Sequence, residues 1–189
     1  MIWLDTPPQG SDEAVKPSTQ VGAKRRIQWL DTGGGPFVII PASELRQWGG
    51  VRGDGSPNEF DRACEVSDYL GTIDFGVGHA LVLGDAPFPT AYLSAPTFGG
   101  GFIVRMLWGD DLERASRVVH RIGAACWTSE PIVFDASDTE LVLFDASHPG
   151  VHARHRIEVS LPKGQYAVST ADWEDDTMCL LVHRLLPFN

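Results

Sequence analysis

Short apolar runs interrupted by glycine, proline and acidic residues recur from Gln28 to Leu186, and this rhythm predicts one strand after another. Strands are expected at residues 28–32 and 37–41, on either side of the Gly33-Gly34-Gly35 turn. Four more are expected at 71–75, 80–83, 90–93 and 101–108, separated by glycine- and proline-bearing turns. The remaining strands fall at 132–135, 141–144, 156–161, 165–171 and 178–186. In the 156–161 run, Ile157, Val159 and Leu161 alternate with Glu158 and Ser160, as a strand with one buried and one solvated face requires.

Helical periodicity is rarer. Leu112, Ala115, Val118, Val119 and Ile122 form one apolar stripe, with Asp110 placed to cap it and Glu113 placed for a capping box. Arg114, Arg117 and Arg121 occupy the opposite side, where arginines form a solvated face. Residues 42–48 predict a shorter helix, capped by Ser43 and stopped by Gly49-Gly50. Residues 51–69 read as a long acidic loop. The fold class is therefore α+β and predominantly antiparallel β: about ten short strands and one main helix near 110–123, an arrangement compatible with two β lobes joined by the helix.

Residues 1–26 break every period with Pro7, Pro8, Gly10 and Pro17, and are expected to be a partly disordered N-terminal extension to one domain over 27–189. Ile2-Trp3-Leu4-Asp5-Thr6 nearly recurs as Ile27-Gln28-Trp29-Leu30-Asp31-Thr32, but one short copy does not define a repeat architecture. No run approaches the roughly 18 apolar residues of a membrane span, and the first residues lack the basic start of a secretion signal. A cytoplasmic protein is expected. Cys64, Cys126 and Cys179 are too scattered for a disulfide framework or a closed zinc site, and are expected to be reduced and buried.

The chain has 25 acidic and 15 basic side chains, a formal charge of −10. Residues 1–50 balance five against five, whereas residues 51–100 hold seven acidic against two basic and residues 101–150 hold eight against four. Such a field disfavours nucleic acid and anionic membranes and favours a basic protein partner. Two acidic groups stand out as candidate partner-binding residues: Asp54, Glu59, Asp61, Glu65 and Asp68, then Asp172, Glu174, Asp175 and Asp176 around Trp173. An aromatic ringed by carboxylates at a hairpin tip suits anchoring in a basic partner, and equally suits an ordinary acidic turn.

Catalytic signatures are sparse. No nucleophile elbow, P-loop or dinucleotide fingerprint occurs, and Ser147-His148 is the one serine–histidine pair close in sequence. His148, His152 and His155 lie within one run that also holds Asp145, which in principle suits a divalent metal, and a small metal-dependent enzyme is the alternative reading. Pro149-Gly150 breaks any helix that would align these imidazoles, and Arg154 adds a positive charge among them. The expectation is no enzyme, no catalytic residue, no metal and no cofactor. A β-sandwich module for sugars or peptides is a third reading.

Several strings, in order, resemble the immunity protein 21 family of bacterial polymorphic toxin systems. They are Trp29 with Gly34-Gly35-Pro36, Trp48-Gly49-Gly50, Asp61-Arg62-Ala63-Cys64 with Asp68-Tyr69-Leu70-Gly71, and Leu83-Gly84-Asp85 with Pro87, Pro89 and Thr90. Leu143-Phe144-Asp145 and Leu161-Pro162 with Gly164 and Tyr166 complete the set. The resemblance implies a mostly β protein that binds and neutralises a cognate toxin, which a basic nuclease would exemplify. It implies no catalytic set and leaves the binding face open.

Overall fold

The run Phe37-Val38-Ile39-Ile40-Pro41 is apolar at both parities, so a strand built from it needs cover on both faces. In the computed structural model, which describes residues 27–84, 88–128 and 130–188, all five of these residues are buried. The expected N-terminal extension and its near-duplicate lie outside the described residues.

Among the described residues, eleven strands form two antiparallel sheets. They are β1 (Trp29–Leu30), β2 (Phe37–Pro41), β3 (Gly71–Phe75), β4 (Gly78–Leu83), β5 (Thr90–Ala95), β6 (Gly100–Trp108), β7 (Ile132–Ala136), β8 (Glu140–Asp145), β9 (Arg156–Ser160), β10 (Gly164–Asp175) and β11 (Met178–Pro187). Sheet A has the order β1-β5-β6-β11-β10-β7, and sheet B the order β3-β4-β2-β8-β9. The two lobes are thus two sheets whose strands interleave along the chain, rather than an N-terminal and a C-terminal half.

Three apolar layers hold them. Phe37, Ile39, Leu81, Leu143 and Val159 of sheet B meet Ile103, Phe134, Val168 and Leu185 of sheet A in a shared core. The other parity of sheet B, Val38, Ile40, Val82 and Phe144, packs under Trp48, Phe60 and Ala63. The other parity of sheet A, Val104, Leu180 and Val182, packs under Ala115, Val118 and Val119. Burial of each large apolar side chain stabilises by about 1.5–3 kcal/mol, so the flanking layers are as necessary as the middle one.

Trp48 joins the second layer to a neighbouring loop. Its indole Nε1 donates to the Ala146 carbonyl at 2.8 Å, and its ring meets Phe75 and Phe144 edge-on. Gly50 beside it has φ +65°, and a Cβ there would stand 2.6 Å from the Ser147 carbonyl oxygen, so glycine is required.

The local elements depart from expectation in four places. The main helix, α2 (Leu112–Val118), is capped by Asp111 rather than Asp110: the Asp111 side chain accepts from the Arg114 N–H at 2.8 Å. The helix tightens to a 3-10 turn over Val119–Arg121. The 42–48 helix is a 3-10 turn, Ala42–Gln47, preceded by Pro41 and without a side-chain cap. The acidic loop contains a helix, α1 (Glu59–Cys64), opened by an Asn58–Asp61 capping box that the loop reading overlooked. All three cysteines are free, but only Cys179 is buried; Cys64 and Cys126 are exposed, because neither falls on an inward face.

Candidate functional site

The first acidic group is organised by α1. Asn58 Oδ1 accepts from the Asp61 N–H at 2.9 Å and Asp61 Oδ2 accepts from the Asn58 N–H at 3.1 Å, so Asp61 is engaged in its own helix. Ala63 and Phe60 fix α1 on the outer face of sheet B. That attachment leaves Asp54, Glu65 and Asp68 exposed, with Glu59 half-buried beside them.

The second group behaves differently from its sequence reading. Trp173 does not sit in a hairpin turn: it lies within β10, paired with Leu180 of β11, and is half-buried against the α2 layer. The arginine row expected to be solvated contributes here, since the Arg114 guanidinium stands over the Trp173 ring and pairs with Asp175. Asp175 also accepts from the Thr177 N–H and hydroxyl, both at 2.8 Å. The Thr177 hydrogen bonds, then Arg114, hold its carboxyl below the ordinary range. Trp173 and Asp175 face inward because strand side chains alternate, which leaves Asp172 and Glu174 on the exposed parity and Asp176 in the turn. Burial, then the carboxylates of Glu174 and Asp172, raise the Cys179 thiol.

Asp172, paired with Leu181, shares the parity of Val168 and Leu185, which face sheet B, so the exposed carboxylates of the second group do not lie on the α2 face.

The histidine run forms a third feature. Asp145, buried at the end of β8, accepts from the Gly33 N–H at 2.9 Å and the Ser147 N–H at 2.8 Å, clamping the glycine turn to the loop. Burial opposes its ionisation, but the hydrogen bonds from Ser147, Thr32 and Gly33 prevail and hold the carboxyl below its usual value. His148, His152 and His155 border a hollow of about 320 Å³ with Asp31, Asp145 and Arg154. Among the described residues, no group of three histidine, cysteine or carboxylate side chains is placed to hold a metal ion. Ser147 Oγ and Asp145 Oδ1 both approach the same nitrogen of His148, Nδ1, at 3.1 and 3.9 Å. A hydroxyl–imidazole–carboxylate relay needs one partner on each ring nitrogen, so this trio does not form one.

A concavity larger than the histidine hollow was not visible in the sequence. A groove of about 1510 Å³ runs along β9, between the outer face of sheet B and the α2 side of sheet A. Its walls come from segments far apart in the chain, including Gln28, Tyr92, Arg117, Glu140 and Glu158. The one signal the sequence carried was the exposed parity of β9: Arg156, Glu158 and Ser160.

The described residues form two interleaved antiparallel sheets with an open groove beside β9. The model of one family, immunity protein 21, matches residues 28–179, and the chain belongs to that family. No curated protein and no solved structure matches it. Among the described residues, no helix is long and apolar enough to cross a membrane.

Proposed function

We propose that this chain is the immunity partner of a bacterial polymorphic toxin, acting in the cytoplasm of the producing cell by stoichiometric binding and without catalysis of its own. The observation that carries this reading is the family match across residues 28–179, most of the chain. The acidic surface supports it: Asp54, Glu59, Asp61, Glu65 and Asp68, and Asp172, Trp173, Glu174, Asp175 and Asp176, give a toxin with a basic substrate groove two carboxylate-rich segments to approach. Asp61, Asp175 and Trp173 serve their own elements first, so steering falls to the exposed carboxylates. For a nuclease toxin, association is expected to be fast and to slow as salt screens the field.

The test is co-expression with the C-terminal domain of the secreted protein encoded beside this chain, followed by isothermal titration. Rescue of growth and one-to-one binding are expected. Growth arrest undiminished by the chain, or turnover of a substrate by the purified chain alone, overturns the reading.

A further inference from the structure

Sheet A outruns its cover at one end. β7 pairs with β10 only as far as Val168, so from Ala171 outward the sheet narrows to β6, β11 and β10. One face of this three-stranded end is covered by α2, with Met178, Leu180 and Trp173 in the same apolar cluster as Ala115 and Val118. On the opposite face Arg105 reaches sheet B, its Nη1 donating to the carbonyls of Tyr69 and Gly84, just before β3 and just after β4, at 3.2 and 2.9 Å. Beyond Arg105 lie Trp108, Cys179 and Glu174, in register across the three strands, with Asp172 beside Leu181 one step back. Facing pairs share a side, and the register shift at Cys179 and Leu180 passes over Leu107. Trp108 therefore shares the side of Cys179, while Met106 stays in the α2 layer. Burial, then both carboxylates, raise the Cys179 thiol, which agrees with all three groups sharing this face.

A single exposed tryptophan is ordinary on a protein surface, and Trp108 is 44% exposed. Its neighbours set it apart. On the covered face, the Arg114 guanidinium stands over the Trp173 ring and pairs with Asp175. The uncovered face presents the same combination of tryptophan and carboxylate without the arginine. Among the described residues, no basic side chain pairs with Asp172 or Glu174, and no ring or guanidinium contacts the Trp108 indole.

We propose that an arginine-bearing segment of the toxin docks on this face, its guanidinium lying on the Trp108 indole and donating to Glu174 and Asp172, an inference that rests on the immunity reading above. Adjacent strands are about 4.8 Å apart, so the backbones of Trp108 and Glu174 are separated by about 10 Å, and the small Cys179 between them leaves room for the guanidinium. Arginine fits better than lysine, because its planar fork both stacks on an aromatic ring and donates to carboxylates in pairs. A second copy of this chain is a poor occupant, since two such faces set carboxylate against carboxylate.

The experiment uses the full chain and the toxin's C-terminal domain. Trp108→Ala is expected to keep the circular dichroism of the wild type and to weaken binding at least about tenfold, as removal of a central aromatic anchor does. Glu174→Gln, at an exposed position, is expected to slow association and to reduce its salt dependence. Independently of folding in either variant, hydroxyl-radical oxidation of Trp108 in the wild-type chain, read by mass spectrometry, is expected to be lost on complex formation. Wild-type affinity in a folded W108A variant, or Trp108 oxidised in the complex as in the free chain, overturns this docking face while the immunity reading stands. Protection of Trp108 that grows with the concentration of the free chain assigns the face to a second copy and overturns the proposal as well. Absence of any wild-type binding removes both.

Discussion

His183 shows how a single residue ties this fold to pH. It lies on β11, fully buried, with Nδ1 2.9 Å from the Thr170 hydroxyl. Burial, then the charge of Arg105, pushes its pKa from 6.5 down to about 3. Below pH 6.5 the unfolded chain takes up a proton that the folded chain refuses. Stability is therefore complete above that pH and is lost as pH falls toward about 3, by about 1.4 kcal/mol per pH unit at the steepest. Urea midpoints between pH 7 and 4 are expected to show this decline, and His183→Gln is expected to flatten it. Trp48 gives a second check at the same scale. Trp48→Phe keeps the ring but leaves the buried Ala146 carbonyl without its donor, an expected loss of about 1–3 kcal/mol with an unchanged denaturant slope.

Among the elements, strands were far more legible than helices. The 71–75 and 37–41 runs become β3 and β2 without a shifted boundary, because glycine and proline punctuate both sides. α1 was missed: its apolar stripe reduces to Phe60 and Ala63, too few to show a period, and its capping box had to be recognised from Asn58 and Asp61 alone. That box sets an expectation. Asn58→Ala should cost about 1 kcal/mol in thermal or urea unfolding and speed amide exchange across Glu59–Cys64. The cap of α2 fell one residue late for a similar reason, since Asp110 and Asp111 are equally good acceptors and only backbone geometry chooses between them.

At the scale of the whole molecule, the charge of −10 is reflected in two acidic groups carried by different sheets. Since α1 packs on sheet B and the β10–β11 hairpin belongs to sheet A, the two groups can be tested separately, and one toxin molecule is not expected to draw on both equally. Neutralising Asp54, Glu65 and Asp68 to asparagine or glutamine, or in a separate variant Asp172, Glu174 and Asp176, should slow association and reduce its salt dependence for one set only. Stopped-flow rates at low and high salt make the comparison; equal slowing by both sets would show a diffuse field rather than a docking face.

Turn residues and apolar parity, which act within a few neighbours of the chain, were enough for the sequence to determine the strands, the main helix and the predominance of antiparallel sheet. Long-range pairing decided the rest. It interleaved the strands into two sheets, drew Trp173 out of its supposed turn onto β10, and turned Asp145 into a clamp on a glycine turn 112 residues away. It also left β9 beside a groove whose walls come from distant segments. Which strand ends a sheet, and what space lies beside it, depends on the packing of the whole chain, and no local pattern encodes it.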